Sequence, residues 1–353
     1  MSAVAGARTR DLWLHSAKFD LTFLIGSAVL AAVPLTLYYV FHVQTSWINY
    51  LVAALVGGPH LYSTYGMTFM DGNFRRNYPI VLWPSLIIPP IVMWLALNNL
   101  TLLLTMFFFW ASIHVLHQLS YIADCYRHKD PRPRSLWNRI VDYGLIFTGL
   151  YPLASKKLIE GKFFVANTVI PVPEMAKQPW VPLLVWAIFL FFLGSFLYKS
   201  YREYKEDRFN VPSFVLISVT TIVSMLIPTF SNLDVAFQGY NTWHSFQYLA
   251  LVWLILKLRR EYGELENRTV ENASKRPWTF YGMNLGFTGL AVGLIFFLQK
   301  VLGFEQRAAY YSVVLGSLLV HYYLDHFNFF RFGQIVRDPS PRELGLAARK
   351  IAA

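Results

Sequence analysis

Six histidines sit where an apolar chain should not carry them, and their spacing is that of ligands. The stretch Phe109–Asp124 reads FWASIHVLHQLSYIAD and lies inside a run otherwise apolar enough to cross a membrane. It holds His114, His117, Gln118, Tyr121 and Asp124, and steps of three, four and seven place all five on one side of a helix. In GGPHLYSTYGMTFMD, Asp71 follows His60 by eleven residues, three helical turns, which predicts a shared face. In YNTWHSFQY, the residues Tyr240, Asn241, His244, Gln247 and Tyr248 form one polar stripe. In HYYLDHFN, Asp325 follows His321 by four and Asn328 by seven, while His326 points roughly 140° away from His321. Ionisable groups inside a bilayer are costly and usually face a bundle interior or a polar site.

Neutral imidazole is a common ligand of iron, copper and zinc, and it usually gives its second N–H to a carboxylate or other acceptor. Histidines with aspartates a turn or two away therefore supply both shells of a metal site. The expected metal ligands are His60, His114, His117, His244 and His321, joined by His326. Asp124 and Asp325 are expected as ligands or as acceptors behind them, and Asp71 as an acceptor. Five or six histidines exceed what one tetrahedral zinc takes, and the count suits a pair of iron ions. The single cysteine, Cys125, excludes an internal disulfide and a cysteine-cluster site. Nitrogen and oxygen donors without thiolate suit non-haem iron acting with molecular oxygen. The expected substrate dissolves in lipid, such as an isoprenoid, a carotenoid or a fatty acyl chain, and a separate electron-donor protein is a possible partner.

The elements that must position these residues follow from composition. Of 353 residues, 55% are hydrophobic and only 14% charged. A soluble domain carries about 25% charged residues, so the fold class expected is an all-α integral membrane protein. The sequence is read as one polytopic domain of ten spans near 20–42, 47–70, 79–98, 100–124, 136–154, 180–198, 211–230, 236–256, 279–299 and 308–330. A short tail, 331–353, follows, in which Ser340-Pro341-Arg342-Glu343 predicts a capped terminal helix. The net charge of +11 then reflects basic inner loops rather than nucleic-acid binding. With both termini cytoplasmic, the outer side keeps only Lys156, Lys157, Lys162, Lys177, Lys300 and Arg307 of 31 lysines and arginines. In a bacterium the site of residence is the cytoplasmic membrane. The N-terminal residues do not read as a cleaved signal peptide.

Pro79, Pro84, Pro89 and Pro90 predict a bent third span facing lipid. Gly282/Gly286 and Gly289/Gly293 in the ninth predict close helix packing. The connector 155–179 is expected to lie on the outer surface as a cap.

The ten-span reading puts the six histidines on the second, fourth, eighth and tenth spans, which all run from outside to inside. His60 precedes Arg75 by 15 residues, His114 precedes Arg127 by 13, and His244 precedes Lys257 by 13. His321 precedes Arg331, and His117 precedes Arg127, by 10. At about 1.5 Å per residue these five share one layer roughly 15–22 Å from the inner charges. His15, His42 and His128 fall outside it and read as surface residues.

Gly58-Pro59-His60 with Asp71, Ile113-His114 with Asp124, the mid-span His244, and His321 with Asp325 resemble the Brp/Blh-like membrane β-carotene dioxygenases. The pieces cover about a sixth of the chain, and Val320 stands where that family has a proline. The resemblance implies histidine-bound iron that cleaves a carotenoid with oxygen. The sequence is also loosely similar to the histidine-box desaturases and hydroxylases, although their HxxHH box is absent. The competing readings are a haem-binding or quinone-linked electron carrier, a His/Asp proton-coupled transporter, and a structural subunit of a larger membrane complex whose histidines bind pigment or only join helices by hydrogen bonds.

Overall fold

A computed structural model describes residues 12–130, 132, 135–161, 164–165, 168–331 and 335. Among them fifteen α-helices follow in order. They are α1 (Ala17–Phe19), α2 (Ala32–Tyr39), α3 (Thr45–Val52), α4 (Gly58–Met67), α5 (Gly72–Asn77), α6 (Pro79–Asn98), α7 (Leu100–Lys129) and α8 (Leu136–Thr148). Next come α9 (Tyr151–Ile159), α10 (Trp180–Lys205), α11 (Val211–Leu226), α12 (Leu233–Glu261), α13 (Arg268–Ser274), α14 (Pro277–Lys300) and α15 (Gln306–Asn328). The expected terminal helix at Ser340–Glu343 lies outside the described residues, as do Arg8, Arg10, Arg134 and Lys162.

Six helical segments are long and apolar enough to cross a membrane. They are Ala17–Tyr39, Pro79–Asn98, Leu100–Lys129, Trp180–Lys205, Val211–Thr229 and Pro277–Lys300. The other four expected spans are built differently. The segment near 47–70 is α3, a π-helical turn (Ala53–Gly57) and α4, and it ends at Met67. The one near 136–154 is divided between α8 and α9. Helices α12 and α15 are long, with 29 and 23 residues, but their polar stripes dilute their hydropathy.

The chain divides into two compact units. One runs to Ala53 and resumes over Asn99–Gln247; the other is Ala54–Asn98 with the chain from Tyr248 onward. In the first, α7 packs on α8 and α11 and is buried on every side from His114 through Tyr126, as befits a central helix. Asn99 starts α7 by accepting from the Leu102 N–H (3.1 Å), which satisfies one of the helix's orphan donors. Asp20 ties the first segment down, accepting from Leu14 N (2.6 Å), His15 N (3.2 Å) and Tyr126 Oη (3.0 Å). The connector after α9 contains a two-residue antiparallel pair, Phe164–Val165 with Thr168–Val169, and a 3-10 turn at Glu174–Lys177.

In the second unit α15 packs against α6, α4 and α14. Pro59 opens α4 and has no N–H to offer the carbonyl four residues back. That carbonyl, Leu55 O, accepts instead from Tyr281 Oη at 2.7 Å. Helix α6 is continuous through its prolines and exposes Ile80, Trp83 and Trp94, an outward apolar face.

The expectation of close packing at Gly282, Gly286, Gly289 and Gly293 fails. Among the described residues a Cβ at any of the four would meet nothing within 4 Å, so that stripe of α14 has no helix packed closely on it. Close approach occurs instead at Gly239, where a Cβ would strike the Ala31 carbonyl, and at Gly144, where it would strike the Phe192 ring.

Candidate metal centre

The second unit brings two histidines ring to ring. His60 on α4 and His321 on α15 are both buried, with centroids 4.4 Å apart and planes at 89°. The Tyr248 ring stands 4.8 Å from His60 and 5.4 Å from His321. Thr64, one turn after His60, places its hydroxyl 2.7 Å from His321 Nδ1, 2.6 Å from Tyr248 Oη and 3.0 Å from Asp325 Oδ1. Tyr248 Oη donates to the same carboxylate oxygen at 2.6 Å, and Asp325 Oδ2 lies 3.5 Å from His321 Nδ1.

Thr64 and Asp325 meet His321 on its Nδ1 side, and a histidine engaged there through an Nδ1 proton presents Nε2 to a metal.

The first unit holds a second perpendicular pair. His114 on α7 and His244 on α12 are buried, with centroids 5.0 Å apart and planes at 84°. Their helices are clamped by amides. Gln118 Nε2 donates to the His244 carbonyl (3.2 Å) and to Gln247 Oε1 (2.7 Å), and Gln247 Nε2 donates to the Leu24 carbonyl.

His60, His114, His244, His321 and Asp325 are thus buried groups that could hold a metal ion. Imidazole nitrogens and a carboxylate, without thiolate, are a donor set that suits divalent first-row metals such as zinc, copper or iron.

The remaining expected residues differ in what they meet. His117 is buried on α7 and His326 half-buried on α15, and neither belongs to the groups able to hold a metal among the described residues. Asp71 does not share a helix face with His60, because α4 ends at Met67. It caps α5 instead, accepting from Asn73 N and Phe74 N (3.2 Å each), and takes Arg259 Nη2 at 2.6 Å. Asp124 is buried on α7, but its carboxylate is engaged by Arg127, by Arg139 Nη2 (2.8 Å) and by Tyr143 Oη (2.5 Å). Beside it Asp142 takes Lys199 and Arg127. His15 is exposed against Phe19, His42 is an exposed loop residue at φ 54°, and His128 Nδ1 donates to the Asp124 carbonyl at 2.8 Å.

Thr64 is the site residue that sequence reasoning missed. Its signal was the four-residue step from His60, the same spacing that linked His321 to Asp325. No protein-family model matches the chain, and no curated protein or solved structure matches it either.

Proposed function

We propose that this protein is an integral-membrane, non-haem iron oxygenase acting on a lipid-soluble substrate of the isoprenoid, carotenoid or fatty acyl class. One observation carries the reading. Four buried imidazoles stand in two perpendicular pairs, and a threonine–tyrosine–aspartate group engages Nδ1 of one of them. His60, His114, His244 and His321 are the proposed ligands, with Asp325 as ligand or acceptor, for two iron ions. Bound iron supplies activation of molecular oxygen. The chain's own residues orient the imidazoles, engage His321 at Nδ1 and exclude water through burial. Chemistry that reduces one oxygen atom to water draws electrons from a donor protein; dioxygenation does not.

Haem is the runner-up cofactor: the same buried histidines would be its ligands, and a Soret band in the purified protein would favour it.

The test is elemental analysis and a visible spectrum of the parent and all nine His→Ala variants, purified in parallel. The parent holds iron and shows no Soret band. His60, His114, His244 and His321 variants lose the iron while still folding, and His15, His42 and His128 variants keep it. Equal iron in the two groups, or a parent without any transition metal, ends the oxygenase reading. Lipid extracts of expressing cells should differ from controls in a lipid or isoprenoid fraction, and a change confined to water-soluble metabolites counts against the substrate class.

The ten-span arrangement with both termini inside is part of the proposal. Cys125 is buried and unsuited to labelling. Single cysteines at the exposed positions Arg75 and Lys156, in a Cys125→Ser background, replace it. An impermeant thiol reagent labels position 156 and spares 75 in intact cells; the reverse pattern overturns the topology.

A further inference from the structure

The first unit contains a small cavity of about 40 Å³ among Phe108, Val115, Leu150, Ile227 and Phe237. Its lining also includes Ala111 and Tyr240, which stand one turn before His114 and His244 on the same helix faces. The cavity therefore adjoins the His114–His244 pair along both helices that carry it.

Its chemistry limits what can occupy it. The polar groups in its wall are the hydroxyls of Ser112, Tyr151 and Tyr240. Ser112 Oγ and Tyr151 Oη bond each other at 2.9 Å, and Tyr240 Oη bonds Ser224 Oγ at 3.0 Å. A buried water needs about three hydrogen-bond partners, and apolar cavities without them stay dry. An aromatic ring or a chain segment needs more room: a cavity that takes benzene measures roughly 150 Å³. The occupant is thus apolar and only a few atoms in size. The geometry points to a site for one small apolar gas molecule, dioxygen, held beside the His114–His244 pair. This assignment rests on the oxygenase reading, which supplies the reaction that consumes the gas. Dioxygen partitions into hydrocarbon, so it reaches such a cavity from the lipid.

Xenon tests the cavity without any turnover. Purified protein under xenon pressure should show magnetisation transfer from xenon to the methyls of Val115 and Leu150. Ala154→Leu, which fills the lining from α9, should abolish that transfer, and Leu158→Ala, which enlarges the space, should strengthen it. The iron-loaded ferrous protein mixed with oxygen should oxidise several-fold more slowly in Ala154→Leu than in the parent at equal iron content. A parent without xenon at these residues overturns the proposal, as does Ala154→Leu oxidising at the parent rate. A parent that binds xenon but no iron overturns the oxygenase reading and, with it, dioxygen as the occupant. A parent with full iron and no xenon overturns the cavity assignment alone.

Discussion

His321 in the second unit and His244 in the first are both buried imidazoles on long helices, yet different chemistry holds them. His321 Nδ1 lies 2.7 Å from the Thr64 hydroxyl, which with Tyr248 is anchored on Asp325. Around His244 it is the backbone that is held: Gln118 bonds its carbonyl and the Gln247 side chain. The first arrangement acts on the ring and its basicity. The second acts on the helix and sets where the ring lies. Breaking the first should show in metal affinity, and breaking the second in stability.

The two units also share a device, a buried carboxylate paired with buried cations near the basic end of a helix. Removing one partner of such a pair leaves an uncompensated charge and costs about 3–5 kcal/mol. Arg259→Ala, which strands Asp71, and Asp142→Ala, which strands Lys199 and Arg127, should both destabilise on that scale. Denaturant or thermal unfolding in detergent measures it. A loss below about 1 kcal/mol in one unit alone means that the ionic anchors are not equivalent.

The next effect is in affinity. Asp325→Asn should weaken iron binding about 10–100-fold, and Thr64→Val should weaken it in the same direction, with unfolding little changed. Metal titration against a competing chelator reads both. Parent affinity in Asp325→Asn would remove the distinction between the two arrangements.

A smaller effect is expected at the amide clamp. Gln118→Leu should cost about 0.6 kcal/mol, the average for polar contacts between membrane helices, and at most about 1.7 kcal/mol, while iron content stays at the parent level. Loss of iron there would show that the clamp also tunes the metal.

The smallest effect is in the exposed ion pairs. The Arg76 guanidinium holds the Glu266 carboxyl below its ordinary value, and Arg202 does the same for Glu206. A lowered carboxyl pKa contributes stability that is present above the unfolded value, about 4.3, and lost as pH falls through the folded one. Both pairs are exposed and screened by salt, so their contribution is slight. Glu266→Gln should leave unfolding at pH 7 nearly unchanged and flatten the decline below about pH 4. A large change at neutral pH would show that this pair matters to the second unit in a way its exposure does not suggest.

The apolar helices and the buried histidine faces were legible in the sequence, because both depend on the local 3.6-residue period. That period placed His60, His114, His244 and His321 inside, and it put Asp325 beside His321 correctly. It failed for Asp71, because periodicity carries a face forward only while the helix continues, and α4 stops at Met67. It also had no means of showing that the glycine stripe of α14 would have no helix packed closely on it.

What the sequence by itself determined is that His60, His114, His244, His321 and Asp325 lie on buried helix faces. The tertiary structure alone decided which distant groups meet: His60 with His321, Thr64 with Asp325, Asp71 with Arg259, and Asp124 with Arg139. The physical reason is competition for partners. A buried carboxylate must find a donor or a cation, several lay within reach along the chain, and packing selected among them. Packing gave two of the three candidate aspartates to arginines and left Asp325 to hold the histidine.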